Sequence, residues 1–180
     1  FKSLPALFLF LIFLIILFAG KCSADILINE VMYDPEINDN YYEWIELYNP
    51  TNKPINLTGW KIADNYIEDS LEGNYDHGNG TMIIPPYGYG FITDHGTKFY
   101  DNFIIPNETI KIYVDDASIC NGLGNSGDNL VLKDGQNKKV DEMEWIINYT
   151  DISGSPASSV LEGNSLSRYK NRDTNDSSKD

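Results

Sequence analysis

A run of oxygen-bearing side chains at alternate positions is the feature of this sequence that comes nearest to a metal site. It comprises Asp34, Glu36, Asn38 and Asn40. Calcium loops space their carboxylate and amide ligands in this way, but an EF-hand loop needs glycine at position six and a bidentate glutamate at position twelve. Asp39 and Ile45 stand at those positions. The run therefore supports two interpretations, a weak calcium site and a solvated acidic turn.

The two histidines stand in the same tripeptide, Asp-His-Gly, at residues 76–78 and 94–96. A carboxylate beside an imidazole could orient a general base, and two histidines on neighbouring loops could share a metal ion. Adjacent residues on a strand or turn point apart, however, and no nucleophile motif accompanies either histidine. Exposed turn residues are the simpler interpretation of His77 and His95.

A glycine-rich segment at residues 122–127 spells the G-x-G-x-x-G of dinucleotide-binding loops. That chemistry needs the loop to open a helix within a βαβ unit. Residues 129–133 instead have the composition of a strand. A glycine-rich turn explains the match to this motif. None of the three motifs forms a catalytic arrangement, so we predict no catalytic residue and no cofactor other than the calcium considered above.

Short β-strands must position these residues, because no window after residue 25 has convincing helical periodicity. Runs rich in Ile, Val, Tyr, Phe and Trp alternate with Gly, Pro, Asn and Asp, which is typical of strands joined by turns. They predict strands at 26–33, 42–49, 54–57, 59–64, 81–84, 89–94, 109–114, 128–133 and 138–146. So many short strands predict an antiparallel β-sandwich or barrel.

The alternation within these runs predicts a core and an outer face. Ile45 and Leu47 fall on one face of their strand and Trp44 on the other, next to a neighbouring loop or edge. We expect the core to contain Ile45, Leu47, Leu57, Trp60 and Ile62.

The connections are predicted from turn residues. Asp134-Gly135 should supply the positive φ angles of a tight hairpin. Residues 65–80 form a polar loop long enough to be functional or mobile. From residue 151 the chain is rich in Ser, Gly and Asn, as expected for a last crossing of the domain followed by a polar tail or linker.

The first 24 residues have a different character. A basic start is followed by an almost unbroken apolar run from Leu4 to Ala19 and then by small residues before Asp25, as in a secretory signal peptide. The run is short for a membrane-spanning helix. We therefore expect a cleaved signal, with an uncleaved signal-anchor as the alternative. Both predict a secreted or cell-surface protein that contacts a membrane only through residues 1–24, if these are retained.

Potential glycosylation sites agree with export, because Asn-x-Ser/Thr sequons are modified on surface loops of exported chains. They occur at Asn56, Asn79, Asn107, Asn148 and Asn175.

The charge of the chain limits its partners. The formal net charge is −14, and loss of Lys2 and Lys21 with a signal would make it about −16. Nucleic-acid binding depends on Lys and Arg neutralising phosphates, so it is unlikely for so acidic a chain.

Three segments carry a family resemblance. They are Ile28-Asn29-Glu30-Val31, Glu43-Trp44-Ile45-Glu46-Leu47-Tyr48-Asn49, and Asn56-Leu57-Thr58-Gly59-Trp60-Lys61-Ile62-Ala63-Asp64. Together they resemble the lamin-tail domain, and later pieces such as Ser165-Leu166-Ser167-Arg168 extend the resemblance over roughly residues 26–172. It is closer to the prokaryotic and archaeal exported branch than to lamins, because the sequence has no coiled-coil rod.

The resemblance implies both a fold and a function. The fold would be all-β, an immunoglobulin-like antiparallel β-sandwich at 25–172, after a signal or anchor helix at 1–24 and before a tail at 173–180. The function would be that of a non-enzymatic exported or cell-surface interaction module that binds protein or carbohydrate. Two alternatives are a targeting module of a larger exported hydrolase or nuclease, and a calcium-stabilised structural surface domain.

Overall fold

The computed structural model describes residues 26–146 and 156–180, which form short strands and two single-turn helices. The strands are β1 (Leu27–Met32), β2 (Trp44–Tyr48), β3 (Ile55–Asn56), β4 (Lys61–Ala63), β5 (Glu68–Glu72), β6 (Ile83–Ile84), β7 (Tyr89–Thr93), β8 (Ile110–Val114), β9 (Gly127–Lys133), β10 (Lys139–Ile146), β11 (Ala157–Ser158) and β12 (Leu166–Ser167). The helices are α1 (Asp39–Tyr42) and α2 (Phe99–Asn102). Within these residues, neither helix has the length or apolar character needed to cross a bilayer.

Ten of the strands form one large sheet in the order β11-β10-β9-β4-β5-β8-β7-β2-β1-β12. Neighbours are antiparallel except β7 with β8 and β10 with β11, which are parallel. The sheet curls until β1 approaches β10, while β3 and β6 form a separate pair. This mainly β, curled architecture confirms the immunoglobulin-like β-sandwich. The predicted signal or anchor helix at 1–24 lies outside the described residues.

The core follows the predicted alternation at four of the five positions. Ile45, Leu47, Leu57 and Ile62 are fully buried. Trp60 is only partly buried and packs against the edge of the core, so that prediction was wrong.

The large buried indole is Trp145, which stacks on Tyr33 with ring centroids 4.8 Å apart. Its N–H donates to the carbonyl of Gly124 at 2.9 Å. A buried indole needs such an acceptor, and the β8–β9 connection supplies one.

The segment predicted as a loop at 65–80 contains the strand β5. Asp69 and Leu71 face inward on β5, and Asp69 accepts the N–H of Cys120 at 2.5 Å. A buried acid at a core position conceals the apolar alternation by which a strand is recognised. β5 joins the two halves of the sheet, because it pairs with β4 on one side and β8 on the other.

The β9–β10 hairpin forms as predicted, with a different turn. The residue with positive φ is Asn137, at 65°, and not Gly135. The Asp134 carboxylate accepts the N–H groups of Gln136 and Lys138 at 2.9 and 3.0 Å. This Asx-type turn fixes the backbone without a left-handed glycine.

Side chains join the two ends of the curled sheet. The Arg168 guanidinium donates through Nε to the carbonyl of Ile28 on β1 at 2.8 Å and lies 3.1 Å from the Asp141 carboxylate on β10. Asp141 also accepts the N–H of Ile28 at 2.6 Å. Arg168 contacts Asp173 and Asp180 as well, so the polar tail packs against this closure.

Candidate binding surface

A second layer of aromatic side chains covers the outer face of β2, β7 and β8. The strand alternation that sends Ile45, Ile92 and Ile112 into the core turns the residues beside them outward. Ten rings, linked by contacts, form this layer, which we call the aromatic face: Tyr42, Trp44, Tyr75, His77, Phe91, His95, Phe99, Tyr100, Phe103 and Tyr113. The face therefore draws on residues separated by up to 71 positions in the chain.

One end of the aromatic face is built by α2 lying over Trp44. Trp44 lies 4.8 Å from Phe91 and 5.9 Å from Phe99 between ring centroids. Phe99 stacks on Phe103 at 5.0 Å. Phe91 and Phe99 are buried by these contacts, but Phe103 is 47% exposed and the next residue, Ile104, is fully exposed. This end offers apolar area to solvent.

The other end is built by the connections after β5 and β7. Tyr75 stacks on His95 with ring centroids 3.7 Å apart, and it contacts Tyr113 edge-on with ring centroids 5.3 Å apart. His77 donates its backbone N–H to the Tyr113 hydroxyl at 3.1 Å. Burial raises the pKa of Tyr113 to about 12, so its hydroxyl stays neutral. Tyr75 remains 38% exposed, so part of this residue is open to a ligand.

Carboxylates border this second end. Glu72 lies 2.5 Å from Nε2 of His95, and Asp76 and Asp101 each lie 3.3 Å from Nε2 of His77. The expectation that Asp76 and His77 point apart was wrong, because Asp76 adopts a φ of 33°. Asp94, beside His95, does turn inward and is 1% exposed. The two histidines thus reach one surface, and each faces a carboxylate.

This arrangement does not have the form of a metal centre or a catalytic pair. Within residues 26–146 and 156–180, no three His, Cys, Asp or Glu side chains are grouped to hold a metal ion. Each imidazole faces carboxylates and tyrosine rings, and the contacts described for it include no Ser, Thr or Cys side chain. The arrangement can stack on a flat group, donate hydrogen bonds and attract positive charge.

The β8–β9 connection is held by buried carboxylates that the sequence reasoning missed. Glu43 is 4% exposed and accepts the N–H of Leu123 at 3.2 Å, as Asp69 does for Cys120. Burial raises the pKa of Glu43 to about 8 and that of Asp69 to about 6. Leu123 belongs to the glycine-rich segment 122–127, which leads directly into β9, so that segment is a turn. The sequence signal that could have revealed Glu43 is an acidic residue at the start of an apolar run.

Comparison with known proteins identifies the domain. The family model for the Lamin Tail Domain matches residues 21–146. The chain belongs to this family. Lamin tail domains have an immunoglobulin-like fold that typically serves as an interaction or structural module. The comparison with curated proteins finds no match.

The predicted calcium residues of this lamin tail domain are used partly as local caps. They are Asp34, Glu36, Asn38 and Asn40. Asn38 caps α1, because its side-chain oxygen accepts the N–H of Asn40 at 3.0 Å. Asp34 and Asp39 share the side-chain amide of Asn125, at 2.8 and 3.2 Å. The structure therefore brings Asp34 together with Asp39 rather than with the alternate residues, and the calcium site stays a prediction.

Four predicted glycosylation sites of the lamin tail domain are exposed. They are Asn56, Asn79, Asn107 and Asn175. Asn148 lies outside the described residues. At Asn56 the side-chain oxygen accepts the hydroxyl of Thr58 at 2.7 Å, so the acceptor and the hydroxyl of that sequon are already in contact. Modification of these residues stays a prediction.

Proposed function

We propose that this lamin tail domain is a non-enzymatic interaction module, of the exported or cell-surface branch of the family, that binds protein or carbohydrate through the aromatic face. One observation carries the proposal: ten linked rings lie on the outside of the sheet, and Tyr75 and Phe103 are more than one-third exposed. Strand faces that serve only the core do not need such a layer.

The chemistry of the face suits these two ligand classes. Aromatic rings offer flat apolar area at a low cost in conformational entropy, and hydroxyl tips add hydrogen bonds. Interfaces are enriched in Tyr, Trp and Phe for this reason. Carboxylates at the border can accept hydrogen bonds from sugar hydroxyls or from a peptide backbone.

The cellular context of the proposal rests on other features. The apolar segment at 1–24 and the exposed sequons support export to the cell surface. A net charge of −14 opposes nucleic acid as a partner, because its phosphates are negative too. The same binding role would serve a larger exported hydrolase or nuclease that carries this module as its targeting part.

The proposal is tested by screening the full chain against glycan and peptide arrays and repeating the hits with variants. We expect Tyr75→Ala and Phe103→Ala each to weaken binding by about tenfold, because each removes a stacked ring that a ligand would cover. Tyr66→Ala is the matched control, since Tyr66 is 81% exposed and lies outside the face. Hits that all three variants bind as tightly as the wild type would contradict the proposal.

A further inference from the structure

We propose that the partner of the aromatic face is a cationic protein segment, whose Lys or Arg side chains lie against the exposed Tyr75 ring and pair with Glu72, Asp76 and Asp101. This inference rests on the proposed function and names the chemistry of its partner. It follows from an internal cation, from the exposed carboxylates and from the charge of the whole chain.

The chain already places one of its own cations on the face. Nζ of Lys111 lies 5.0 Å from the centroid of the Tyr100 ring. An ammonium or guanidinium within about 6 Å of a ring centroid is attracted by the negative face of the π-system. Lys111, which lies on β8, therefore shows with atoms of this protein that a ring of this layer accepts a positive group.

The carboxylates at the Tyr75 end are exposed enough to receive further cations. The exposed fractions of the side chains are 39% for Glu72, 59% for Asp76 and 54% for Asp101. Their closest partners are the imidazoles of His77 and His95, which are positive only when protonated. Each of the three carboxylates therefore keeps more than one third of its side chain open to a cation of a partner.

The two ends of the aromatic face differ in chemistry, and a partner segment that contacts both must carry two kinds of side chain. The Tyr75 end combines rings with carboxylates, whereas the other end offers Phe103 and the fully exposed Ile104. A segment that joins Lys or Arg to an apolar side chain would match both ends. Arg suits the first end best, because a guanidinium can stack on a ring and bind a carboxylate in a bidentate way.

Charge favours this partner over a sugar. The whole chain carries −14, so a cationic segment is attracted at long range and an acidic glycan is repelled. A neutral sugar could donate its hydroxyls to the same carboxylates, but it gains nothing from this long-range field.

The test is isothermal titration of the full chain with a short synthetic peptide that alternates Arg with Leu and Gly. The comparison peptide carries citrulline in place of Arg and is therefore neutral. We expect binding of the Arg peptide that weakens as ionic strength rises, and about tenfold weaker binding of the citrulline peptide.

Variants connect the effect to the face. The double variant Asp76→Asn with Asp101→Asn should bind the Arg peptide about tenfold more weakly, and Asn tolerates the positive φ of residue 76. Glu162→Gln is the matched control, since this exposed acid lies on the connection before β12. Unchanged thermal melting of the double variant verifies its fold.

The outcomes separate this inference from the proposed function. Equal binding of the Arg and citrulline peptides, or of the wild type and the double variant, overturns the cationic partner. If a neutral oligosaccharide binds instead and Tyr75→Ala abolishes that binding, the cationic partner is wrong and the interaction module stands. If Tyr75→Ala and Phe103→Ala change the binding of neither probe, both proposals fail.

Discussion

In this domain, buried carboxylates accept backbone N–H groups that are more often accepted by backbone carbonyls. The β8–β9 connection has buried backbone N–H groups, and Glu43 and Asp69 accept two of them. A buried donor without an acceptor would destabilise the fold. Solving that problem with a carboxylate has a cost, because burial disfavours the ionised form and raises its pKa.

Glu43→Gln should remove much of the pH dependence of stability between pH 6 and pH 8. Burial raises the pKa of Glu43 from 4.5 to about 8, so the folded state holds a proton that the unfolded state releases. The protonated Glu43 therefore contributes its full stabilisation of the fold below pH 4.5, and this stabilisation is lost as the pH rises through 8. Gln is neutral at every pH and still offers an oxygen to Leu123. Urea titrations at pH 6 and pH 8 should show a wild-type loss of unfolding free energy that is larger by about 2 kcal/mol than the loss of the variant.

The control for this residue is Glu162→Gln, which neutralises an exposed acid and should keep the wild-type pH dependence. A Glu43→Gln variant that loses as much free energy of unfolding between pH 6 and pH 8 as the wild type would show that Glu43 is ionised in the folded state.

At the scale of elements, the sheet is closed by side chains and not by a backbone ladder. β1 and β10 approach each other at the ends of the curled sheet, and Asp141 and Arg168 span the gap between them. The Arg168 side chain is 2% exposed, so its charge depends wholly on its partners. Such a buried pair contributes little net stability, but removing one member leaves an uncompensated charge.

Arg168→Lys should therefore destabilise the domain by about 3 kcal/mol, because an ammonium cannot reproduce the planar fork that reaches Ile28, Asp141 and the tail together. Chemical denaturation measures the change. Lys139→Met is the control on β10, the strand of Asp141, since Lys139 pairs with Glu142 at the surface and its side chain is 56% exposed. The control should cost less than about 1 kcal/mol. Equal effects of the two variants would show that the closure is not important for stability.

At the scale of the whole molecule, the protein has a large excess of acidic residues and buries several of them. Burial raises the pKa of Asp69, Asp94 and Asp141 to about 6 in each case. The Arg168 guanidinium opposes this rise at Asp141 and does not cancel it. The formal net charge of −14 adds self-repulsion at neutral pH.

Mild acid should therefore stabilise the full chain. The folded state binds more protons than the unfolded state between pH 3.8 and pH 6 at these three aspartates, so stability increases as the pH falls through this range. We expect a higher Tm at pH 5 than at pH 7, by several degrees. Calorimetry at constant ionic strength measures it. A maximum of Tm at or above pH 7 would contradict the raised pKa values.

Much of the fold could be predicted from the sequence, because strands and turns are decided by neighbours. Ile45 and Leu47 alternate with polar or outward residues, and Asp134-Gly135 marks a hairpin, so these elements were placed correctly. Two failures have separate causes. β5 was missed because Asp69 faces the core. Trp60 was expected in the core, but the local pattern does not show how completely the fold covers a side chain.

What the sequence by itself determined was the positions of most strands, the alternation of their faces, the family and an acidic surface. The tertiary structure alone decided that Tyr75, His95 and Phe103 share one face, that Glu43 is buried, and that Arg168 closes the sheet. The physical reason is the distance along the chain over which each effect acts. Apolar alternation and turn propensity act between residues a few positions apart, whereas stacking, desolvation and ion pairing depend on distances in space that only the completed fold sets.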